Sequence, residues 1–222
     1  LYWVASTIVP VPGEDGQPRQ YISIQTDISA LRQAEMALAE AHGRELAIGA
    51  RIQQSLLVTP PSQQVPGLWV SVFNQASQGI DGDFVEVFQL GDGCVDIVVG
   101  DVMGKGLSAA LMGAATKLQF CRSMTELMAE SSSTGVSWAT PAQIVAAVHR
   151  AMTPHLQALD AFVTLCHVRL DISRQRLSWV GCGHEEPLVL GRGQALRRLS
   201  NQHPPLGVLN DEHYVQDELT LS

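Results

Sequence analysis

Two alternating apolar stretches, Phe84 to Leu90 and Val95 to Gly100, constrain this chain more than any other feature. They are separated by Gly91-Asp92-Gly93 and bracketed by Asp83 and Asp101. Alternation with period two marks a half-buried strand, and a glycine-rich pair of turn residues between two such runs marks a hairpin. An antiparallel hairpin returns its ends to one place, so Asp83 and Asp101 are expected at the same sheet edge. Both sit among glycines, in Gly79-Ile80-Asp81-Gly82-Asp83-Phe84 and in Gly100-Asp101-Val102-Met103-Gly104-Lys105-Gly106. Glycine permits close backbone approach, so a carboxylate and a neighbouring carbonyl can face one hard cation together. Two carboxylates completed by waters suit the octahedral oxygen shell of Mg²⁺ or Mn²⁺.

The second motif has rival readings. Gly100-x-x-x-Gly104-Lys105-Gly106 is one residue short of a Walker A loop and carries glycine where Ser or Thr would hold magnesium, which argues against a nucleotide-binding loop. Asp101 also reads as a strand-end turn residue that caps the helix beginning near residue 107.

Around the hairpin the pattern is that of an α+β layered sandwich. Trp69 to Phe73 alternates as a strand. A helix is expected from Leu107 to about Met128, with Leu107, Leu111, Ala114 and Leu118 on one face. Residues 131 to 137 form a Ser/Thr/Gly loop. A second helix starts at Pro141 behind a Thr140 cap and ends near Met152, where Pro154 interferes. Strands follow at Phe162 to Leu170, Arg176 to Val180, Leu188 to Leu190, Ala195 to Leu199 and Tyr214 to Leu221. Runs of strands with inserted helices favour α+β over a doubly wound sheet.

With 222 residues, 45% of them hydrophobic, the chain can bury a sizeable core. A net charge of -8 repels nucleic-acid phosphates, and Arg197-Arg198 is only a doublet, so no nucleic-acid partner is expected. The four cysteines, Cys94, Cys121, Cys166 and Cys182, contain no C-x-x-C pair and suggest neither a zinc site nor a disulfide framework, which fits a cytoplasmic setting. No apolar run approaches a membrane span, and no signal peptide opens the chain.

Residues 1 to 28 read as two strands, at Leu1 to Val4 and around Tyr21 to Ile24, with Pro10 to Gly16 as their turn. The stretch Trp3, Pro10, Asp15-Gly16, Tyr21-Ile22 and Thr26-Asp27-Ile28-Ser29 resembles the C-terminal hairpin of a PAS sensor domain. The chain is therefore expected to be a piece cut at both ends from a longer protein. Residues 29 to 57 favour a helix capped by Asp27 or Ser29 and about 43 Å long. Leu31, Ala34, Leu38, Ala41, Ile48 and Ile52 fit the a and d positions of a coiled coil, while Glu45 and Ser55 interrupt the seam. Gly43 and Gly49 invite a bend. Two readings stand: a linker helix packed on the next domain, or a homodimeric signalling helix. Pro60, Pro61 and Pro66-Gly67 end it.

From residue 52 onward the chain resembles the bacterial type-2C phosphatases of the SpoIIE/RsbU group. The matching motifs are Ile52-Gln53 with Leu56-Leu57, Asp81-Gly82-Asp83-Phe84-Val85-Glu86, Gly100 to Met112, Phe162-Val163-Thr164-Leu165, Gly181-Cys182-Gly183-His184 with Pro187, and Pro205-Leu206-Gly207-Val208. The resemblance implies an α-β-β-α sandwich and a binuclear Mg²⁺/Mn²⁺ site. Asp83, Asp101 and the Val102 carbonyl would be ligands, and Asp81 and Glu86 would lie in or behind the metal shell. It further implies hydrolysis of phosphoserine or phosphothreonine on a regulatory protein of the anti-sigma-factor antagonist type. Lys105 is a candidate for gripping the phosphate, against a solvated surface lysine. His184 is a candidate general acid, against a turn-fixing histidine. Thr164 and Phe162 are expected in a core strand, and Glu185 and Glu186 are too close to His184 in sequence to converge with it on one ion. Asp81 stands where the family has glycine, and Glu86 where it has aspartate. The family's later metal carboxylates would lie beyond Ser222, so weak turnover is expected of residues 1 to 222 alone. A second reading makes the chain a catalytically silent module of this fold used for dimerisation or partner binding.

Overall fold

In the computed structural model the described residues are 2–14, 17–56, 64–65, 67–75, 82–91, 93–134, 138–191 and 195–221, without the side chains of 45–46, 50, 52–56, 64–65 and 130–134. The chain divides into two compact units, Leu1–Ala47 and Ile48–Ser222. The expected turn at Asp15-Gly16, the break at Pro60, Pro61 and Pro66, the side chains of the 52–57 motif, Asp81 and Asp92 lie outside the described residues.

In the first unit, β1 (Val4–Pro12) and β2 (Pro18–Asp27) pair antiparallel, Val4 opposite Asp27 and Pro10 opposite Tyr21. Pro10 was expected to begin the turn, yet the strand runs through it. A two-stranded ladder leaves alternate N–H groups pointing outward, where proline's missing donor costs nothing. The turn comes later and is closed by Gly13 N–H donating to Gln17 O at 2.7 Å. Helix α1 (Ser29–Leu56) begins where Asp27 Oδ1 accepts from Ser29 N–H at 2.9 Å. It is continuous through Gly43 and Gly49. Leu31, Leu38 and Ile48 of its apolar seam are exposed.

The second unit takes in the last turns of α1 and then a short hairpin, β3 (Gln64–Val65) and β4 (Leu68–Trp69). The strand expected at Trp69 to Phe73 thus stops after Trp69. The remaining elements are β5 (Phe84–Gly91), β6 (Cys94–Val102), α2 (Leu107–Thr134), α3 (Pro141–Ala158), β7 (Val163–Asp171), β8 (Arg176–Cys182), β9 (Leu188–Val189), β10 (Arg197–Arg198) and β11 (Asp217–Thr220). Five of these strands make one antiparallel sheet in the order β11-β8-β7-β6-β5, and β9 pairs with β10 in a separate hairpin.

Strand alternation gives that sheet two faces. Phe84, Val98, Val102, Val163, Leu165 and Val180 face α2 and α3 and join Phe120, Ile144, Val148 and Leu156 in the main core. On the other face Val87, Val95 and Ile97 pack with Leu68, Val70 and Val72, while Leu177, Trp179, Val168 and Leu170 pack with Val189, Leu199 and Leu219. The fold is α+β, with a central antiparallel sheet covered by helices on one side.

Three helix expectations needed correction. Leu111 and Leu118 are exposed, and α2 buries Ala110, Ala114, Lys117, Phe120 and Met124 instead. Small residues bring this helix onto the sheet: a Cβ at Gly113 would lie 2.7 Å from the Gly82 carbonyl oxygen. Helix α2 also runs on to Thr134 through the expected loop, of which 135–137 lie outside the described residues. Helix α3 begins as read, with reciprocal Thr140 and Gln143 capping bonds and Pro141 in the first turn, but passes Pro154 to end at Ala158. The fully buried Leu156 anchors that last turn, and its carbonyl accepts from Ala161 N–H at 2.9 Å.

A buried ionic network ties the sheet to the loop before α3. Arg169 grips both Asp96 oxygens, at 2.6 and 2.8 Å, and donates to Ala139 O at 2.6 Å, while His167 Nε2 lies 2.9 Å from Asp96 Oδ2. Burial pushes the Asp96 carboxyl up, but His167 and Arg169 together outweigh it and hold its pKa below the usual carboxylate range.

Candidate functional site

The hairpin brings its two aspartates together. Phe84 pairs with Gly100, so the same antiparallel register carried one residue outward sets Asp83 opposite Asp101. Phe84 and Val102 are buried toward the helices, whereas the adjacent Asp83 and Asp101 are exposed. Gly82 makes the approach feasible: a Cβ there would lie 2.9 Å from the Val102 carbonyl oxygen. The donors gathered at this strand end are two carboxylates and a backbone carbonyl, a set that fits a hard divalent cation. Among the described residues no group of three or more His, Cys, Asp or Glu side chains is arranged to hold a metal.

Two further side chains meet Asp101. Thr164 on β7 is its cross-strand partner and donates its hydroxyl to the Asp101 backbone carbonyl at 3.4 Å. The same hydroxyl lies 3.0 Å from His184 Nδ1. His184 follows Gly183, whose φ is +66° and whose Cβ would meet Pro205 Cγ at 2.8 Å, so the turn admits only glycine. Asn201 donates its side-chain amide to His184 O. Burial lowers the His184 pKa, opposed by the negative charges of Asp101 and Glu185.

Lys105 is exposed in the Gly104–Gly106 turn ahead of α2, where both glycines have positive φ. Glu86 is not beside Asp83. Three positions along the strand reverse the side-chain direction, so Glu86 is buried on the helix face in an ion pair with Lys117 at 2.9 Å. Its expected place in or behind the metal shell is therefore corrected. Asp81 lies outside the described residues. Thr164, expected in a core strand, lies on β7 but is only half-buried, its hydroxyl turned to Asp101 and His184. Its pairing with Asp101 could have been found by extending the hairpin to a third strand.

A protein-family model described as stage II sporulation protein E (SpoIIE) matches residues 91–222, well over half of the chain. The chain belongs to the SpoIIE family. Among curated proteins it is 26% identical over 185 residues to the phosphoserine phosphatase RsbP of Bacillus subtilis, covering 80% of this chain and 41% of that protein. It is also 26% identical over 174 residues to the phosphoserine phosphatase RsbU of the same organism, covering 78% of this chain and 48% of that one. The chain thus spans less than half the length of these relatives. Among solved structures the PP2C domain of SiaA from Pseudomonas aeruginosa superposes with a TM-score of 0.57 at 20% identity, covering 85% of this chain and 69% of that one. The structure of the SpoIIE phosphatase domain with a regulatory-domain fragment from Bacillus subtilis gives 0.50 at 14% identity, covering 74% and 42%. The fold of the SpoIIE-family chain is that of the PP2C phosphatases. The described part contains no helix long and apolar enough to cross a membrane.

Proposed function

We propose that this SpoIIE-family chain is the catalytic part of a metal-dependent protein phosphatase that hydrolyses phosphoserine or phosphothreonine on a regulatory protein of the anti-sigma-factor antagonist type, in the cytoplasm. The observation that supports the reading is the β5–β6 register, whose outermost pair, Phe84 with Gly100, leaves Asp83 and Asp101 at one end of the hairpin, with Gly82 packed against the Val102 carbonyl. Two Mn²⁺ or Mg²⁺ ions held there would supply Lewis acidity, activating water and neutralising phosphoryl charge. Asp83 and Asp101 hold and orient; Lys105, free to swing from its glycine turn, grips a substrate phosphate oxygen. His184 stands beside Asp101 to exchange a proton. The serine phosphatase names of RsbP and RsbU support the substrate class.

The hairpin of residues 1 to 28 is proposed as the end of a PAS-like sensor, and residues 29 to 57 as a helix that pairs two copies. The exposed seam of Leu31, Leu38 and Ile48 supports that pairing.

Phosphate release from a phosphoserine protein, followed with Mn²⁺, Mg²⁺ or EDTA, tests the activity. Release stimulated by Mn²⁺ and abolished by EDTA is expected; release indifferent to chelation would refute the metal-dependent reading.

A further inference from the structure

The β9–β10 hairpin carries side chains that the fold does not use. Val189 packs against the cluster of Leu177, Trp179 and Leu199. Alternation turns its neighbour Leu188 the other way, and Arg198, the cross-strand partner of Leu188, shares that outer face. Leu188, Leu190 and Leu196 are each more than half exposed. Arg197 and Arg198 are exposed too, with no ion-pair partner among the described residues. The chain holds 22 acidic residues against 14 Lys and Arg, yet between Glu186 and Asp211 it has three arginines and no acid. One of the three, Arg192, lies outside the described residues. Three leucines left in water beside two such guanidinium groups make a small apolar patch with a positive rim, the composition of a contact surface.

The base of the hairpin is tied to the strand that carries Asp101. Leu199 N–H donates to Pro187 O at 2.9 Å, and Trp179 Nε1 on β8 donates to Ser200 O at 3.1 Å. The chain leaves for the hairpin at His184 and returns at Asn201, whose side-chain amide donates to His184 O. The His184 ring meets the Thr164 hydroxyl, which donates to the Asp101 carbonyl. A segment gripped by the hairpin is thus anchored, through its root, to the candidate site.

We propose that the β9–β10 hairpin is a docking arm for the phosphoprotein substrate: Leu188, Leu190 and Leu196 cover an apolar patch beside the phosphoserine, and Arg197 and Arg198 pair with carboxylates around it. Docking in this sense rests on the phosphatase reading above. A nucleic acid or an anionic membrane presents its charge to the whole chain, whose net -8 repels it, whereas a substrate segment meets only the hairpin, where the local charge is positive. Contacts of this kind act on binding and leave the chemical step alone, so their removal raises KM with kcat unchanged.

The full chain with Mn²⁺ is assayed on two phosphoserine peptides of one length, one with Leu and Glu flanking the phosphoserine and one with Ser and Lys in their places. A third substrate, p-nitrophenyl phosphate, has no flanking groups to dock. The wild type is expected to prefer the Leu/Glu peptide about 10-fold in kcat/KM, through KM. Arg197→Glu with Arg198→Glu should reverse that preference, Leu188→Ser with Leu190→Ser should reduce it, and both variants should hydrolyse p-nitrophenyl phosphate at the wild-type rate. Equal kcat/KM on the two peptides in the wild type, or a charge-reversed variant that keeps the wild-type preference, would overturn the proposal. So would loss of p-nitrophenyl phosphate turnover in hairpin variants whose circular dichroism is unchanged. Sedimentation of the wild type with phosphatidylserine/phosphatidylcholine vesicles, lost on charge reversal, would overturn it in favour of a lipid surface. A wild type that releases phosphate from none of the three substrates sinks the phosphatase reading alone. Fluorescence anisotropy of the labelled Leu/Glu peptide then decides the docking: binding by the wild type and not by the charge-reversed variant upholds it, and equal or absent binding in both overturns it.

Discussion

At the scale of single residues, the balance of burial against pairing decides several outcomes. Asp96 is fully buried, and its charge survives there because Arg169 and His167 both face it. Removing one partner of such a group leaves the others buried and uncompensated, which costs about 3–5 kcal/mol. Asp96→Asn is expected to lose stability of that order in chemical denaturation. The pH dependence has a definite sign. A carboxyl held below its unfolded value near 3.8 adds stability in full above that pH and loses it as pH falls through the lower folded value. Stability of the wild type should therefore drop more steeply below pH 4 than that of Asp96→Asn. Gly113 gives the converse case. Alanine in a helix interior normally gains about 1 kcal/mol over glycine, but here the added Cβ would sit 2.7 Å from a backbone oxygen. Gly113→Ala should lower the melting temperature and weaken metal binding, because the Gly82 carbonyl that it pushes adjoins Asp83. The hairpin that ends at Asp83 and Asp101 was legible in the sequence because strand alternation and a glycine turn are local signals. The pairing of Thr164 with Asp101 was missed because the two residues lie 63 apart in the chain.

Among the elements, those built on local chemistry were read best. The α3 start followed from Thr140 and Pro141, and the β5–β6 hairpin from its period and its turn. The end of α3 was misread as falling near Met152 because proline's penalty at 154 is local, whereas the burial of Met152 and Leu156 that overrides it is tertiary. Pro154→Ala is expected to stabilise the protein, by at most about 3 kcal/mol, in thermal or denaturant unfolding. The buried face of α2 was misread because leucines were weighted above alanines, while close packing on Gly82 selects the small residues. Glu86 was placed near the metal by motif order alone, and counting strand period would have put it on the other face. On α1, Leu31→Asp with Leu38→Asp should convert a dimer to a monomer in sedimentation experiments. A monomeric wild type would remove the case for helix pairing.

For the whole molecule, family membership, the PP2C fold and the open end of the sheet converge on one arrangement. The β5–β6 hairpin ends in two carboxylates beside a carbonyl, while β7 adds the Thr164 hydroxyl and the turn after β8 adds the His184 imidazole. Substrate choice and sensor input were not legible, since they depend on surfaces that no local pattern marks. The central claim is that Asp83 and Asp101 share a cation site. Titration of Mn²⁺ into the full chain, read by electron paramagnetic resonance, tests it most directly when wild type, Asp83→Asn and Asp101→Asn are compared. Binding by the wild type that is lost in both variants, with circular dichroism unchanged, is the predicted result. Equal Mn²⁺ binding in all three proteins would contradict the account.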